Sequence, residues 1–129
     1  MIFVDTNYFI RFLLKDNLPQ YRIAKKLFIE ASEGKKSICT STIVIFEIYW
    51  LLSTYYQKTK QEVVSVLEEI LNLSFLQIEN KDLITRSMAV FKKTNLDLED
   101  SFNLVYSQIL NVSHFATFDK KLLKRFSTS

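Results

Sequence analysis

Two hydrophobic rhythms alternate along this chain. Short, nearly unbroken apolar runs, "IFV" (2–4), "SICT" (37–40), "FLQI" (75–78) and "HFAT" (114–117), have the length and β-rich make-up of buried strands. Between them apolar residues recur every three to four positions, the helical period. Helices are therefore expected across "TNYFIRFLLK" (6–15), "QYRIAKKLFIEASE" (20–33), "KQEVVSVLEEILNL" (60–73), "KDLITRSMAVFKKT" (81–94) and "LDLEDSFNLVYSQIL" (96–110), and a closing helical turn or helix across "DKKLLKRF" (119–126). Local punctuation agrees with these boundaries. Thr6 or Asn7 can cap the first helix, and Asp16 and Asn17 break it. Pro19 opens the second, Gly34 ends it, and Tyr21, Ala24, Phe28 and Ala31 form its core stripe.

Strands alternating with helices indicate an α/β fold with a mainly parallel sheet, in one domain over residues 1–129. Sites in such sheets lie beyond the carboxyl ends of the strands, where strand order switches. Asp5 and Asp119 each follow directly on a strand candidate, so both are assigned to that edge.

One helix breaks the pattern. "STIVIFEIYWLL" (41–52), capped by Ser41 or Thr42, is apolar on nearly every side, yet holds Glu47 at its middle. An unpaired buried carboxylate costs several kcal/mol, so Glu47 must meet water, a partner or a cation. "DLED" (97–100) adds more acids. Asp97 and Asp100 are spaced as N-cap and N3, which explains Asp97. Asp100 lies off the expected stripe of Leu98, Phe102, Val105, Ile109 and Val112. Taken singly, Asp5 and Asp119 read equally well as helix caps, and Glu47 as half of an ion pair.

Composition narrows the chemistry. The 129 residues are 48% hydrophobic and 14% aromatic, ample for a core. One cysteine and one histidine exclude an internal disulfide, a thiolate zinc site and poly-histidine metal centres. One glycine excludes phosphate-cradling glycine loops and a serine nucleophile elbow. Carboxylates are left as the leading chemical groups. The net charge of +3 permits a polyanionic partner without requiring one. "MIFVDTN" lacks the basic start of a signal peptide, and no apolar run reaches the ~20 residues of a membrane span, so a reducing, cytoplasmic setting without membrane contact is expected.

The ordered set "DTN", "EIYWLL", "LDLEDSF" and "FATFDKKL" resembles the PIN domain, and in particular the small VapC-type toxins of toxin–antitoxin pairs. The resemblance covers nearly the whole chain. It implies a three-layer α/β/α sandwich around a central, mainly parallel sheet of four to five strands, with the last strand shortened or missing because only three residues follow Phe126. By position it makes Asp5, Glu47, Asp100 and Asp119 catalytic metal ligands, with Asp97 auxiliary and Asn7 and Thr117 polar neighbours. It also implies an endoribonuclease using Mg²⁺ or Mn²⁺, cutting RNA hydrolytically to leave a 5′-phosphate. Such proteins are usually homodimers, held inactive by a small antitoxin. Clustered carboxylates suit this chemistry because they repel one another until a hard cation neutralises them.

For the RNA strand, Lys120, Lys121, Lys124 and Arg125 beside Asp119 are preferred over Lys15, Lys35, Lys36, Lys92 and Lys93, which read as solvated faces. Three other readings compete. One is a stand-alone RNA-processing PIN nuclease, and another a catalytically silent PIN-like module binding RNA or protein. The third is a dehalogenase-like phosphotransferase, which ranks low because "DTN" lacks that class's second aspartate.

Overall fold

The computed structural model describes residues 1–128. It is a mostly helical α/β chain that divides into two compact units, Met1–Asn80 and Lys81–Ser129.

The first unit carries the sheet. In order it contains β1 (Ile2–Phe3), α1 (Thr6–Leu14), α2 (Leu18–Ser32), β2 (Ile38–Thr40), α3 (Thr42–Ser53), α4 (Lys60–Leu71) and β3 (Leu76–Ile78). All three strands run parallel in the order β1-β2-β3, with Ile2 opposite Ile38, and Ile38 opposite Leu76. Parallel neighbours need a crossover, and each crossover here is a pair of helices. Val4 continues β1 by donating its N–H to the Cys39 carbonyl at 2.8 Å. Its own carbonyl accepts the hydroxyl of buried Thr40 at 2.8 Å. That bond fixes the chain one residue before Asp5. Thr40→Val, which leaves the Val4 carbonyl short of this donor, is expected to cost about 1–3 kcal/mol in denaturant unfolding.

Helix starts follow the caps. Asp5, rather than Thr6 or Asn7, caps α1: it is extended, and its Oδ1 accepts the Thr6 N–H at 2.8 Å. Asn17 caps α2 with Pro19 in the first turn, Ser41 caps α3, and Thr59 with Glu62 forms a capping box on α4. Helices α1 and α2 meet through aromatic rings. Phe28 lies 5.5 Å from Phe9 and 5.0 Å, edge on, from Phe12.

In α3 the buried positions are Val44, Ile45, Ile48 and Leu52. Ile43, Glu47 and Trp50, spaced four and three residues apart, form the exposed face. The apolar character of this helix therefore includes a solvent-facing stripe, and Glu47 stands in it.

The second unit has helices only among its described residues: α5 (Lys81–Lys93), α6 (Leu98–Ile109) and α7 (Lys120–Thr128). Leu96, Leu104 and Leu122 form a buried cluster, with Val90, Phe115 and Phe126 packed against it. Two expectations fail here. "HFAT" is not a strand, so the sheet has three strands among the described residues instead of four to five. Phe115 turns onto Phe126, 5.3 Å between ring centres, and Thr117 is engaged in a local turn. The α6 stripe is also different. Leu98, Ser101, Leu104, Val105 and Ser107 are buried, whereas Ile109 and Val112 are exposed. Small serines can face the core because their hydroxyls bond back to the Asp97 and Leu104 carbonyls.

Among the described residues no helix is long and apolar enough to cross a membrane.

Candidate active site

The acids singled out by sequence divide between the units. Asp5 and Glu47 lie in the first; Asp97, Asp100 and Asp119 lie in the second.

In the first unit, Asp5 stands at the carboxyl end of β1 and spends Oδ1 on the α1 cap, leaving its second oxygen for another partner. Thr6, expected only as a possible cap, is 4% exposed, and its hydroxyl donates to Glu47 Oε2 at 3.2 Å. Glu47 is thus an exposed carboxylate tethered on one oxygen, not a buried one. The side chain linking these two acids is a threonine directly after the capping aspartate. Nothing in local periodicity marks it. Asn7, exposed on the first turn of α1, lines a cavity of about 250 Å³ with Tyr8, Arg11, Gln20 and Ile23.

The end of β3 in the same unit is organised by another acid. Glu79 Oε1 accepts the Thr42 N–H at 3.0 Å, and the Thr42 hydroxyl donates to the Glu79 carbonyl. This holds the start of α3 against the chain leaving β3. The same backbone N–H holds the Glu79 carboxyl below its ordinary pKa.

In the second unit Asp100 lies within electrostatic reach of two other acids. Asp97 caps α6, with Oδ1 accepting the Asp100 N–H at 2.8 Å. Asp119 begins α7, with Oδ1 accepting from the Lys121 and Leu122 N–H groups at 2.9 and 3.1 Å. Thr117 fixes the approach to it, because the Asp119 N–H donates to Thr117 Oγ1 at 3.0 Å. The Asp100 carboxyl is pushed above its ordinary pKa, first by desolvation, then by the charges of Asp97 and Asp119; Lys121 pulls it back in part. Glu99 is raised too, by desolvation and then by Asp97. Asp100 therefore senses the charges of both Asp97 and Asp119, while helix N-termini favour anions at 97 and 119.

These shifts predict a pH optimum of stability for the metal-free protein. Asp100 and Glu99 bind protons more readily folded than unfolded, so stability rises as pH falls from neutral through their raised pKa values. Glu62, whose pKa is lowered chiefly by the Thr59 N–H, and Glu79 act oppositely. Their contribution is lost as pH falls further, through their depressed values. Thermal unfolding in EDTA should show a maximum at mildly acidic pH, flattened on its neutral side in Asp100→Asn.

Among the described residues no three His, Cys, Asp or Glu side chains form a ready-made metal cage. The donor chemistry still fits a hydrated Mg²⁺, which retains most of its waters and needs only one or two carboxylates. Asp100 and Asp119 are hard oxygen donors, and the Asp119 charge already acts on Asp100, so the pair suits that requirement.

Of the four basic residues near Asp119, Lys121, Lys124 and Arg125 line one cavity, and Lys120 is exposed outside its lining.

No curated protein matches this chain in sequence. The family model described as PIN domain matches residues 2–127, almost the full length. PIN domains are generally nucleases, hydrolases of phosphodiester bonds that use divalent metals. With a parallel sheet whose first strand ends on Asp5, and with that match spanning both units, the chain belongs to the PIN domain family.

Proposed function

We propose that this protein is a metal-dependent endoribonuclease that hydrolyses phosphodiester bonds of single-stranded or structured RNA, acting as the toxin of a toxin–antitoxin pair. Asp5, Glu47, Asp100 and Asp119 are its metal-binding carboxylates, with Asp97 auxiliary. The observation that carries this reading is Asp100, whose carboxyl is raised first by desolvation and then by the charges of Asp97 and Asp119, in a chain of the PIN family. Such a group gains most from a cation.

Mg²⁺ or Mn²⁺, when bound, supplies a Lewis acid for the phosphate oxygens and a water of lowered pKa. The chain's own residues prepare for it. Thr6 orients Glu47, and Thr117 sets the backbone that presents Asp119. Capping fixes Oδ1 of Asp5, Asp97 and Asp119, so each carboxylate is held in one direction without a second side chain. Asn7, on the turn after Asp5, is an outer partner.

Ile43 and Trp50 flank Glu47 on the exposed face of α3. That arrangement suits an inhibitory antitoxin bringing apolar contacts and a basic side chain. Exposed Leu18, Ile23 and Ile29 on α2 support a homodimer.

The reading is tested by incubating purified protein with single-stranded RNA and Mg²⁺ or Mn²⁺. Cleavage that stops in EDTA and returns with added metal is the expected result; cleavage indifferent to EDTA rejects the assignment.

A further inference from the structure

Helix α7 carries two faces that do different work. Leu122 and Phe126 pack into the cluster around Leu96 and Leu104. Lys121, Lys124, Arg125 and Thr128 follow the i, i+3, i+4, i+7 spacing of a single helical stripe. An amphipathic helix ordinarily turns such a stripe to open water. Here it lines a cavity of about 410 Å³, completed by Asn95 and Leu96 from the segment before α6.

We propose that this cavity is a binding subsite for one nucleotide of the RNA strand, holding its phosphate on the cations of α7. The inference rests on the ribonuclease reading above and gives that site a way of holding its substrate.

Four features fit a nucleotide. Among the described residues, three cations and no carboxylate line the cavity, which favours an anion there. Arg125 offers a planar fork suited to phosphate oxygens, and the lysines add point charges. Asn95 supplies a neutral amide. The Thr128 hydroxyl proton is turned back onto the Lys124 and Arg125 carbonyls, so its oxygen is left as an acceptor for a sugar hydroxyl or base amino group.

Size and rigidity agree. The volume lies in the ~300–1,000 Å³ range of small-molecule sites, more than a bare phosphate fills. Leu96, 3% exposed and part of the core cluster, gives a preformed apolar floor for a sugar or base edge.

Its position relates it to the acids. Helix α7 starts at Asp119, and Lys124 lies five residues on, ~7.5 Å along the axis. Lys121 serves both places, lining the cavity while its charge acts on Asp100. A strand held here has a neighbouring phosphate near the acids of the same unit.

The test is binding of a labelled single-stranded oligoribonucleotide to the full chain in EDTA, where no cleavage occurs, read by fluorescence anisotropy across a salt series. Lys124→Glu should weaken binding at least tenfold and reduce the slope of log affinity against log salt by about 0.7, the loss of one single-strand phosphate contact. Lys25→Glu, the same charge change on the exposed surface of α2, should change affinity less than twofold. Equal weakening by both variants, absence of RNA binding, or competition by an acidic peptide as effective as by RNA overturns the subsite.

Cleavage measured in parallel separates the two claims. If wild-type protein fails to cut with Mg²⁺ or Mn²⁺ while Lys124→Glu still binds selectively worse, the subsite stands and the nuclease reading falls. If cleavage proceeds and Lys124→Glu leaves affinity and KM unchanged, the reverse holds.

Discussion

Replacing Asp100 with Asn should lower metal-dependent RNA cleavage by more than ~100-fold without unfolding the protein. Loss of an outer partner of a metal ligand typically costs ~10–100-fold, so loss of a ligating carboxylate should cost more. Asp100 is the informative position because the metal-free protein gains nothing from its charge. Desolvation and the charges of Asp97 and Asp119 all oppose its ionisation. Asn keeps the shape and removes that repulsion. At neutral pH in EDTA the variant should match or slightly exceed the parent in thermal stability, by less than ~0.5 kcal/mol for so accessible a position. Added Mg²⁺ should raise the melting temperature of the parent and leave Asp100→Asn nearly unmoved. A variant that cuts RNA at the parental rate removes Asp100 from the chemistry. One that melts far below the parent makes its role structural.

Ile48→Ala should have the largest effect on stability, a loss of about 2–5 kcal/mol in chemical denaturation. Ile48 is fully buried on α3, immediately after exposed Glu47. Deleting three carbons there removes apolar contact and leaves a void that backbone rigidity prevents from closing. Glu47→Gln, one position away, keeps the acceptor for the Thr6 hydroxyl and should change stability by less than ~0.5 kcal/mol while impairing cleavage. The pair separates the two roles of one helix: its inward face anchors, and its outward face presents the acid. Equal stability losses would mean that Glu47 is needed for folding.

The sequence carried most of this organisation because most of it is local. A helix is written in apolar spacing and in the residue that begins it, so the seven helices among the described residues are legible, Pro19 and Ser41 included. The short apolar runs before Asp5, Ser41 and Glu79 became strands because a neighbouring strand accepts their hydrogen bonds. "HFAT" has a similar local pattern but makes no ladder among the described residues, and its Phe115 is drawn to Phe126 instead. Pattern alone does not say whether a pairing partner exists. On α6, residue size misled: Phe102 and Ile109 looked like core, while Ser101 and Ser107, satisfied by their own helix, occupy it.

Around the candidate acids, local structure was legible and tertiary contacts were not. Asp97 stands at a helix start, where spacing put it, and Asp5 and Asp119 take the helix-cap reading; Asp119 follows no strand, because "HFAT" forms none. Thr6 reaching Glu47, 41 residues away, belongs to tertiary structure. So does the cavity that joins Asn95 to Lys124.

If the proposed function holds, the aspartates that begin α1, α6 and α7 have two jobs at once, capping a helix and serving the metal, and this restricts how the chain can change. Alanine at any of them strips the chemistry and also unravels a helix end, typically for about 1 kcal/mol. Asparagine, serine or threonine would keep the helix while silencing the acid. A descendant of this protein that gave up cutting but kept its shape should therefore drift first to those three residues, leaving a readable scar at positions 5, 97 and 119.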